Sequence, residues 1–284
     1  SIYMQRQKRA LAVHDISCVG RCSLTVALPI ISAVGVETSI LPTAVLSTHT
    51  GGFTGYTYRD LTEDILPIAD HWESLGLAFD ALYTGYLGSF RQIELVLELF
   101  RRFKGKETLA LVDPAMADNG KLYGGFAAEF PKEMRKLCAK ADIIVPNLTE
   151  AAFMLDEPYV EGPYTQAYIE GMLERLAGIG APKVVLTGVH FDDADLGAAC
   201  LDTATGKVSY AFQPRIPGYY HGTGDVFGSA LLAALLRDRS LEEASAIAVD
   251  YTQRTIAMTA QLGQEARYGV CFECTLPYLL ERLA

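Results

Sequence analysis

Leu109-Ala-Leu-Val112, closed by Asp113-Pro114, is apolar without a break. A half-exposed strand alternates polar and apolar residues, so an unbroken apolar run marks a strand whose sheet is covered on both faces. Val184-Val-Leu186 repeats the pattern. Outward from these two runs, β-rich stretches at 10–15, 37–42, 81–85, 109–113, 143–146 and 183–187 alternate with helical ones at 23–34, 61–75, 92–103, 126–139 and 164–178. That alternation requires right-handed crossovers and predicts a mainly parallel central sheet with helices on both faces. At 196–202 and 207–212 the rhythm changes to two strand-like runs joined by Thr203-Ala-Thr-Gly206, which read as a small antiparallel hairpin at one sheet edge. Helices at 225–237 and 241–261 close the chain. No linker, repeat or low-complexity tract divides it, so a single α/β domain is expected over 10–284, with 1–9 as an N-terminal extension.

The 284 residues carry 24 Lys+Arg against 34 Asp+Glu, a net charge of −10, and half of them are hydrophobic. This apolar content excludes a disordered chain. The acidic balance leaves no excess of cations to replace phosphate counterions, so nucleic acid is not an expected partner. The longest apolar run, 230–236, falls far short of the ~20 residues that cross a bilayer, so no membrane partner is expected either. The apolar stretch 10–13 breaks at His14-Asp15, too early for a secretory signal. Six cysteines in a chain of this length read as free thiols, and a cytoplasmic protein is expected.

The expected parallel strands end in polar residues: Asp15, Thr84, Asp113, Asn147 just past Pro146, and Thr187. Open α/β sheets bind ligands outside the carboxyl ends of their strands, so these residues should converge on one edge. His221-Gly-Thr-Gly-Asp225 runs straight into the apolar helix that follows. Glycines before an uninterrupted helix leave its first amides pointing at one spot, with the positive end of the dipole behind them, and this is an anion site. Asp225 falls in the first turn. It reads as a helix-capping acid or as the base that accepts a hydroxyl proton during phosphoryl transfer.

Pro146-Asn147-Leu-Thr-Glu150 offers two oxygen ligands three residues apart at a helix start, which suits a hydrated Mg2+ and equally a capping box. Asp113-Pro114 is a strand-terminal acid, with Asp118 and Tyr123 in the polar loop after it. Ser47-Thr-His49-Thr50-Gly-Gly-Phe-Thr-Gly-Tyr56 combines glycines, hydroxyls and aromatics, which suits a small polar aromatic ligand and equally an ordinary surface loop. Cys271-x-x-Cys274 has no second pair at zinc-finger spacing. Neither a P-loop nor a G-x-S-x-G elbow occurs.

In this order, Asp113-Pro114, Pro146-Asn147-x-x-Glu150 and Gly222-Thr-Gly-Asp225 resemble the ribokinase superfamily. Gly20-Arg-Cys-Ser23, Ser47-Thr-His49-Thr50-Gly51 and Thr84-Gly85-Tyr86 are similar to its pyridoxal (pyridoxamine) kinase branch. The resemblance implies a ribokinase-like fold and ATP-dependent phosphorylation of the 5′-hydroxymethyl group of a B6 vitamer. It implies Asp225 as base, with the amides of Gly222, Thr223 and Gly224 as the hole for the γ-phosphoryl. Asp113, Asn147 and Glu150 would organise Mg2+ and the triphosphate, with Asp113 and Glu150 as metal ligands. Asp118 and Thr187 would lie at the nucleotide, and Tyr123 in a flap over ATP. His49, Thr50 and Tyr86 would surround the pyridine ring. His14 and Asp15 would also contact the substrate, His14 standing where many relatives have a serine. A homodimer is implied and, in some members, K+.

Hydroxymethylpyrimidine is the rival substrate for the same chemistry, because His14-Asp15 suits an aminopyrimidine. A nucleotide-cofactor oxidoreductase would need a glycine loop after the first strand, where Cys18-Val-Gly-Arg-Cys22 has one glycine. A non-catalytic binder has no use for an acid beside an anion nest.

Overall fold

A computed structural model describes residues 6–284. The chain begins with β1 (Arg9–Val19), α1 (Leu24–Ala33), β2 (Glu37–Thr48), β3 (Tyr58–Asp60), α2 (Thr62–Ser74), β4 (Ala81–Thr84) and α3 (Phe90–Phe103). It continues through β5 (Leu109–Val112), β6 (Ala117–Asp118), β7 (Lys121–Leu122), α4 (Phe130–Cys138), β8 (Ile143–Ile144), α5 (Leu148–Met154) and α6 (Gln166–Ala177). It ends with β9 (Lys183–Val189), β10 (Asp195–Asp202), β11 (Lys207–Pro214), α7 (Thr223–Leu236), α8 (Leu241–Leu262) and α9 (Leu276–Arg282).

The main sheet has the order β11-β10-β9-β8-β5-β4-β1-β2-β3. From β9 to β2 every neighbour is parallel. The hairpin β10–β11 adds antiparallel strands at one edge, as expected, and β3 caps the other edge antiparallel to β2. The fold is the α/β, ribokinase-like arrangement that the resemblance implied. β6 and β7 form a separate two-stranded sheet.

The unbroken apolar runs have their reason in the packing. In β1, Leu11 and Val13 face the core shared with α2, α3, α4 and α6, while Ala10 and Ala12 face the one shared with α1, α7, α8 and α9. In β5, Ala110 and Val112 take the first side and Leu111 the second. Both layers are lined by buried apolar side chains, and each fully buried Leu or Ile contributes ~1.5–3 kcal/mol of transfer free energy. Helix ends carry their own signals: Ser240 and Glu243 form a capping box at the start of α8, and Gly263, at φ +67°, ends it in the left-handed conformation.

Several boundaries differ from the sequence expectation. β1 and β2 run on to Val19 and Thr48 instead of stopping near 15 and 42, since they keep pairing with each other beyond the last contact of β1 with β4 at Val13–Thr84. Their ladder shifts register between His14 and Ile16, so Asp15 sits at an irregularity within a strand and not at its end. Helix α4 starts at Phe130, because Phe126 turns back to stack on Phe130 with ring centroids 4.0 Å apart. Of the expected extension 1–9, residues 1–5 lie outside the described residues. Arg6 pairs with Asp80, at 2.6 and 3.0 Å, and Arg9 already belongs to β1.

Candidate active site

The sheet brings the expected strand-end residues to one edge. The Asp113 amide donates to the Thr84 carbonyl at 2.9 Å, and Asn147 bridges Thr187. Helix α7 aims its N-terminus at the same edge. Its cap, Gly222, has φ +79°, and a Cβ there would sit 2.4 Å from the Arg21 carbonyl, so only glycine lets the loop turn this tightly. The Thr223 hydroxyl donates to the Tyr220 carbonyl at 2.8 Å, holding the approach to the helix. The first-turn amides of Thr223, Gly224 and Asp225 have no intrahelical acceptor, because no carbonyl lies four residues earlier in the helix. They form an anion nest.

Asp225 stands over this nest. Its Oδ2 accepts the Ser23 amide at 2.9 Å. Burial pushes its pKa up to about 6; the Ser23 amide and the neighbouring Cys22 thiol pull it down, and the charge of Asp15 pushes it up. The thiol stays protonated, held so by burial and by the negative charges of Asp225 and Asp15. Among the described residues, four that are not glycine have positive φ: Asn119, Asp156, Asp238 and Ser23. Asn and Asp tolerate that region, whereas serine at φ 54°, ψ −121° is strained, and it is the serine whose amide binds the acid. Neither Ser23 nor Cys22 had been picked out as a site residue from sequence; the chain segment 202 residues away that they touch is brought in only by folding.

Asp15 is 8% exposed, with Oδ1 lacking a protein partner. Burial raises its pKa, and the Ser23 hydroxyl and His49 oppose the rise. Asp113, buried at the end of β5, is pushed well up by burial and then by the charges of Glu150 and Asp225. Burial also raises Glu150, while the amides of Asn147, Met116 and Ala117 favour its charge. Of this pair, Glu150 is therefore the one that ionises first.

Glu150 is engaged by three backbone amides. Its Oε1 accepts the Asn147 amide at 3.0 Å, and Oε2 accepts those of Met116 and Ala117 at 2.9 and 3.3 Å. Asn147 Oδ1 in turn accepts the Glu150 amide at 2.8 Å. The capping-box geometry is present, and both carboxylate oxygens of Glu150 accept backbone amides, so it braces the head of α5. Asn147 Nδ2 donates to the Ala117 carbonyl, and Thr149 Oγ1 accepts the Gly120 amide, so the head of α5 is bolted to the β6–β7 hairpin. That hairpin carries Asp118 and leads to Tyr123, whose phenol is 40% exposed and lies near Glu150, Asp113 and Asp118.

His14 is sealed inside the protein: it has no accessible surface, its ring packs edge-on to Tyr83 at 4.5 Å, and a Cβ on Gly85 would meet its Cε1 at 3.0 Å. Neither ring nitrogen has a partner, and burial lowers its pKa to about 4. Of the residues expected around an aromatic ring, Thr50 is exposed, Tyr86 is tilted against Phe126 at 5.5 Å, and His49 is 4% exposed. Cys271 is buried against the Thr259 hydroxyl. Among the described residues no group of three or more His, Cys, Asp or Glu side chains is placed to hold a metal ion, and no helix is long and apolar enough to cross a membrane.

Residues 28–269 match the phosphomethylpyrimidine kinase family. A protein of Bacteroides thetaiotaomicron, solved in two crystal forms, is 38% identical. The first form superposes with a TM-score of 0.93 over 98% of this chain and 96% of that one. The second, with pyridoxal, has a TM-score of 0.90 over 96% of each. The pyridoxal kinase of Lactobacillus plantarum is 33% identical, with a TM-score of 0.88 over 96% of this chain and 97% of its own. A pyridoxine/pyridoxal/pyridoxamine kinase of Bordetella avium is 27% identical over 254 residues, 84% of this chain and 81% of that protein.

Proposed function

The chain belongs to the phosphomethylpyrimidine kinase family, and from that premise we propose that it is a pyridoxal kinase. It transfers the γ-phosphoryl of ATP to the 5′-hydroxymethyl group of pyridoxal, pyridoxamine or pyridoxine. The observation that carries this reading is Asp225, a carboxyl raised to about 6 and set directly over the free first-turn amides of α7. The pyridoxal in the 38% identical Bacteroides protein supports a B6 vitamer as the alcohol.

With Oδ2 held by the Ser23 amide, Oδ1 of Asp225 takes the hydroxyl proton. The alkoxide oxygen attacks the γ-phosphorus, the bond to the bridging oxygen breaks, and ADP leaves. A base whose pKa lies near the working pH is ionised and still strong enough to accept that proton. The amides of Gly222, Thr223 and Gly224 meet the charge on the transferring phosphoryl, and the α7 dipole adds to their effect. Positioning and charge stabilisation supply most of the rate in such transfers.

Asp113 has no side-chain partner among the described residues and lies at the strand ends beside Asp225, which fits an Mg2+ arriving with the triphosphate and keeping most of its waters. When bound there, Mg2+ neutralises β- and γ-phosphate charge. Glu150 acts on this site through the β6–β7 hairpin, which carries Asp118 and leads into Tyr123 over the nucleotide, while Asn147 and Thr187 line the phosphate side. The enzyme works as a homodimer, as the resemblance implies. A second reading, hydroxymethylpyrimidine as substrate, is favoured by the family match itself.

The test is ADP release from MgATP with pyridoxal, pyridoxamine, pyridoxine and hydroxymethylpyrimidine in parallel. Turnover of a vitamer, reduced roughly 10²–10⁴-fold in Asp225→Ala, is the expected result. Turnover of the pyrimidine alone would keep the chemistry and move the substrate. No turnover with any of the four, from folded protein, would overturn the proposal.

A further inference from the structure

His221, the residue before the nest, has no part in the chemistry above. Its imidazole lies flat on that of His49, with ring centroids 3.5 Å apart and planes 3° from parallel. His49 is held at both nitrogens. Nδ1 accepts the Gly51 amide at 3.0 Å, which leaves the proton on Nε2, and Nε2 donates it to the Arg267 carbonyl at 2.5 Å. A Cβ on Gly51 would touch both rings, at 3.4 Å from His49 and 3.5 Å from His221.

Around this stack the loop after β2 is fastened to the turn at 266–268. Phe53 packs edge-on to His49 at 5.0 Å and to Tyr268 at 5.1 Å. The Arg267 guanidinium covers Phe53 at 4.7 Å and donates to the Gly52 carbonyl at 3.3 Å. The same turn accepts the His221 amide at the Ala266 carbonyl. On its other side His221 is joined directly to Gly222, which is wedged against the Arg21 carbonyl. Both rings are uncharged near neutral pH. Burial lowers His221 to about 4, and it lowers His49 against the opposing pull of the Arg267 carbonyl and the Asp15 carboxylate. Two neutral rings can stack at this distance, whereas two imidazolium ions would repel.

We propose that His221 is a positioning residue that couples the two halves of the site. The His49–His221 stack links the loop that borders the vitamer ring to the amides that hold the phosphoryl, so each substrate tightens the binding of the other. This rests on the kinase reading above. A vitamer bound beside Thr50 braces the loop that carries His49, whose ring is already fixed at both nitrogens. The stacked His221 then holds the peptide into Gly222, and with it the direction of the nest amides.

The experiment is calorimetric titration of the full chain with a non-hydrolysable ATP analogue, without and with saturating pyridoxal, after direct titration of pyridoxal itself. Coupling is a ratio of two affinities, so it is insensitive to a uniform loss of binding. In the unmodified protein, pyridoxal is expected to tighten the analogue by a factor in the range of roughly 5–150. His221→Ala is expected to bring that ratio close to 1. His221→Phe, which restores a flat ring over His49, is expected to recover most of it, and a thermal melt of each variant identifies one that has failed to fold. A full ratio in folded His221→Ala, no recovery in His221→Phe, or pyridoxal binding without any coupling in the unmodified protein would each overturn the proposal. Absence of pyridoxal binding in the direct titration would instead remove the kinase reading on which it rests.

Discussion

Asp225 carries a burden that its chemistry requires. A carboxyl that is to accept a hydroxyl proton near neutral pH has to be desolvated, and a desolvated carboxylate destabilises the folded chain. Its folded pKa of about 6 against an ordinary 3.8 means that the folded protein holds more protons between those values, so stability is lost as pH rises through that window. Asp225→Asn removes the ionisation. It is expected to be inactive yet to melt higher than the unmodified enzyme at pH 8, by roughly 2–3 kcal/mol of stability, with the gap closing toward pH 4. Melting curves of both proteins across pH 4–8 check this, and a gap that is constant with pH would contradict the assignment. The helix start at Gly222-Thr-Gly-Asp225 was legible, because a helix N-terminus is a local feature. The packing of His14 against Gly85, with no accessible surface, was not, because nothing local reveals where a strand residue is sealed.

At the scale of elements, the least legible pieces do much of the positioning. The strand at 143–146 and the helix start at Asn147 were read from sequence, but β6–β7, a hairpin of two-residue strands, is too short for any periodicity to show. Glu150 joins them through three backbone amides. Glu150→Gln presents an NH2 group to at least one of these donors and leaves a buried amide unpaired, which costs about 1–3 kcal/mol. In the proposed kinase reading the hairpin covers the nucleotide side and not the vitamer side. The variant is therefore expected to raise the KM for ATP severalfold while the KM for pyridoxal stays within about twofold. Initial rates with each substrate varied in turn decide it; equal rises in both would assign Glu150 to general stability. The signal at Asn147-x-x-Glu150 was visible in sequence, but a capping box and a metal pair share that spacing. The approach of Met116 and Ala117 shows only in the fold.

At the scale of the molecule, α7 has to lie close on the sheet for its N-terminus to reach the strand ends. Gly228 permits it: a Cβ there would come within 2.5 Å of the hydroxyl of Tyr83, which is fully buried in β4. Gly228→Ala is expected to lower the urea midpoint, by about 1–3 kcal/mol for an overpacked core. Adding Tyr83→Phe should recover part of that loss by removing the clashing oxygen. A double variant no more stable than Gly228→Ala alone would show that the contact is not what limits the approach.

Unlike β3, β6, β7 and α9, the alternation of the main strands and helices, the parallel sheet covered on both faces, the edge hairpin and the glycines before α7 were determined by the sequence alone. Each depends on residue patterns a few positions apart, and local physics reads those directly. Tertiary structure decided which polar groups meet: Ser23 with Asp225, Glu150 with Met116 and Ala117, His221 with His49, and His14 against Gly85. These contacts join segments from 33 to 202 residues apart. Their energies come from burial and geometry that exist only once the two faces of the sheet have closed.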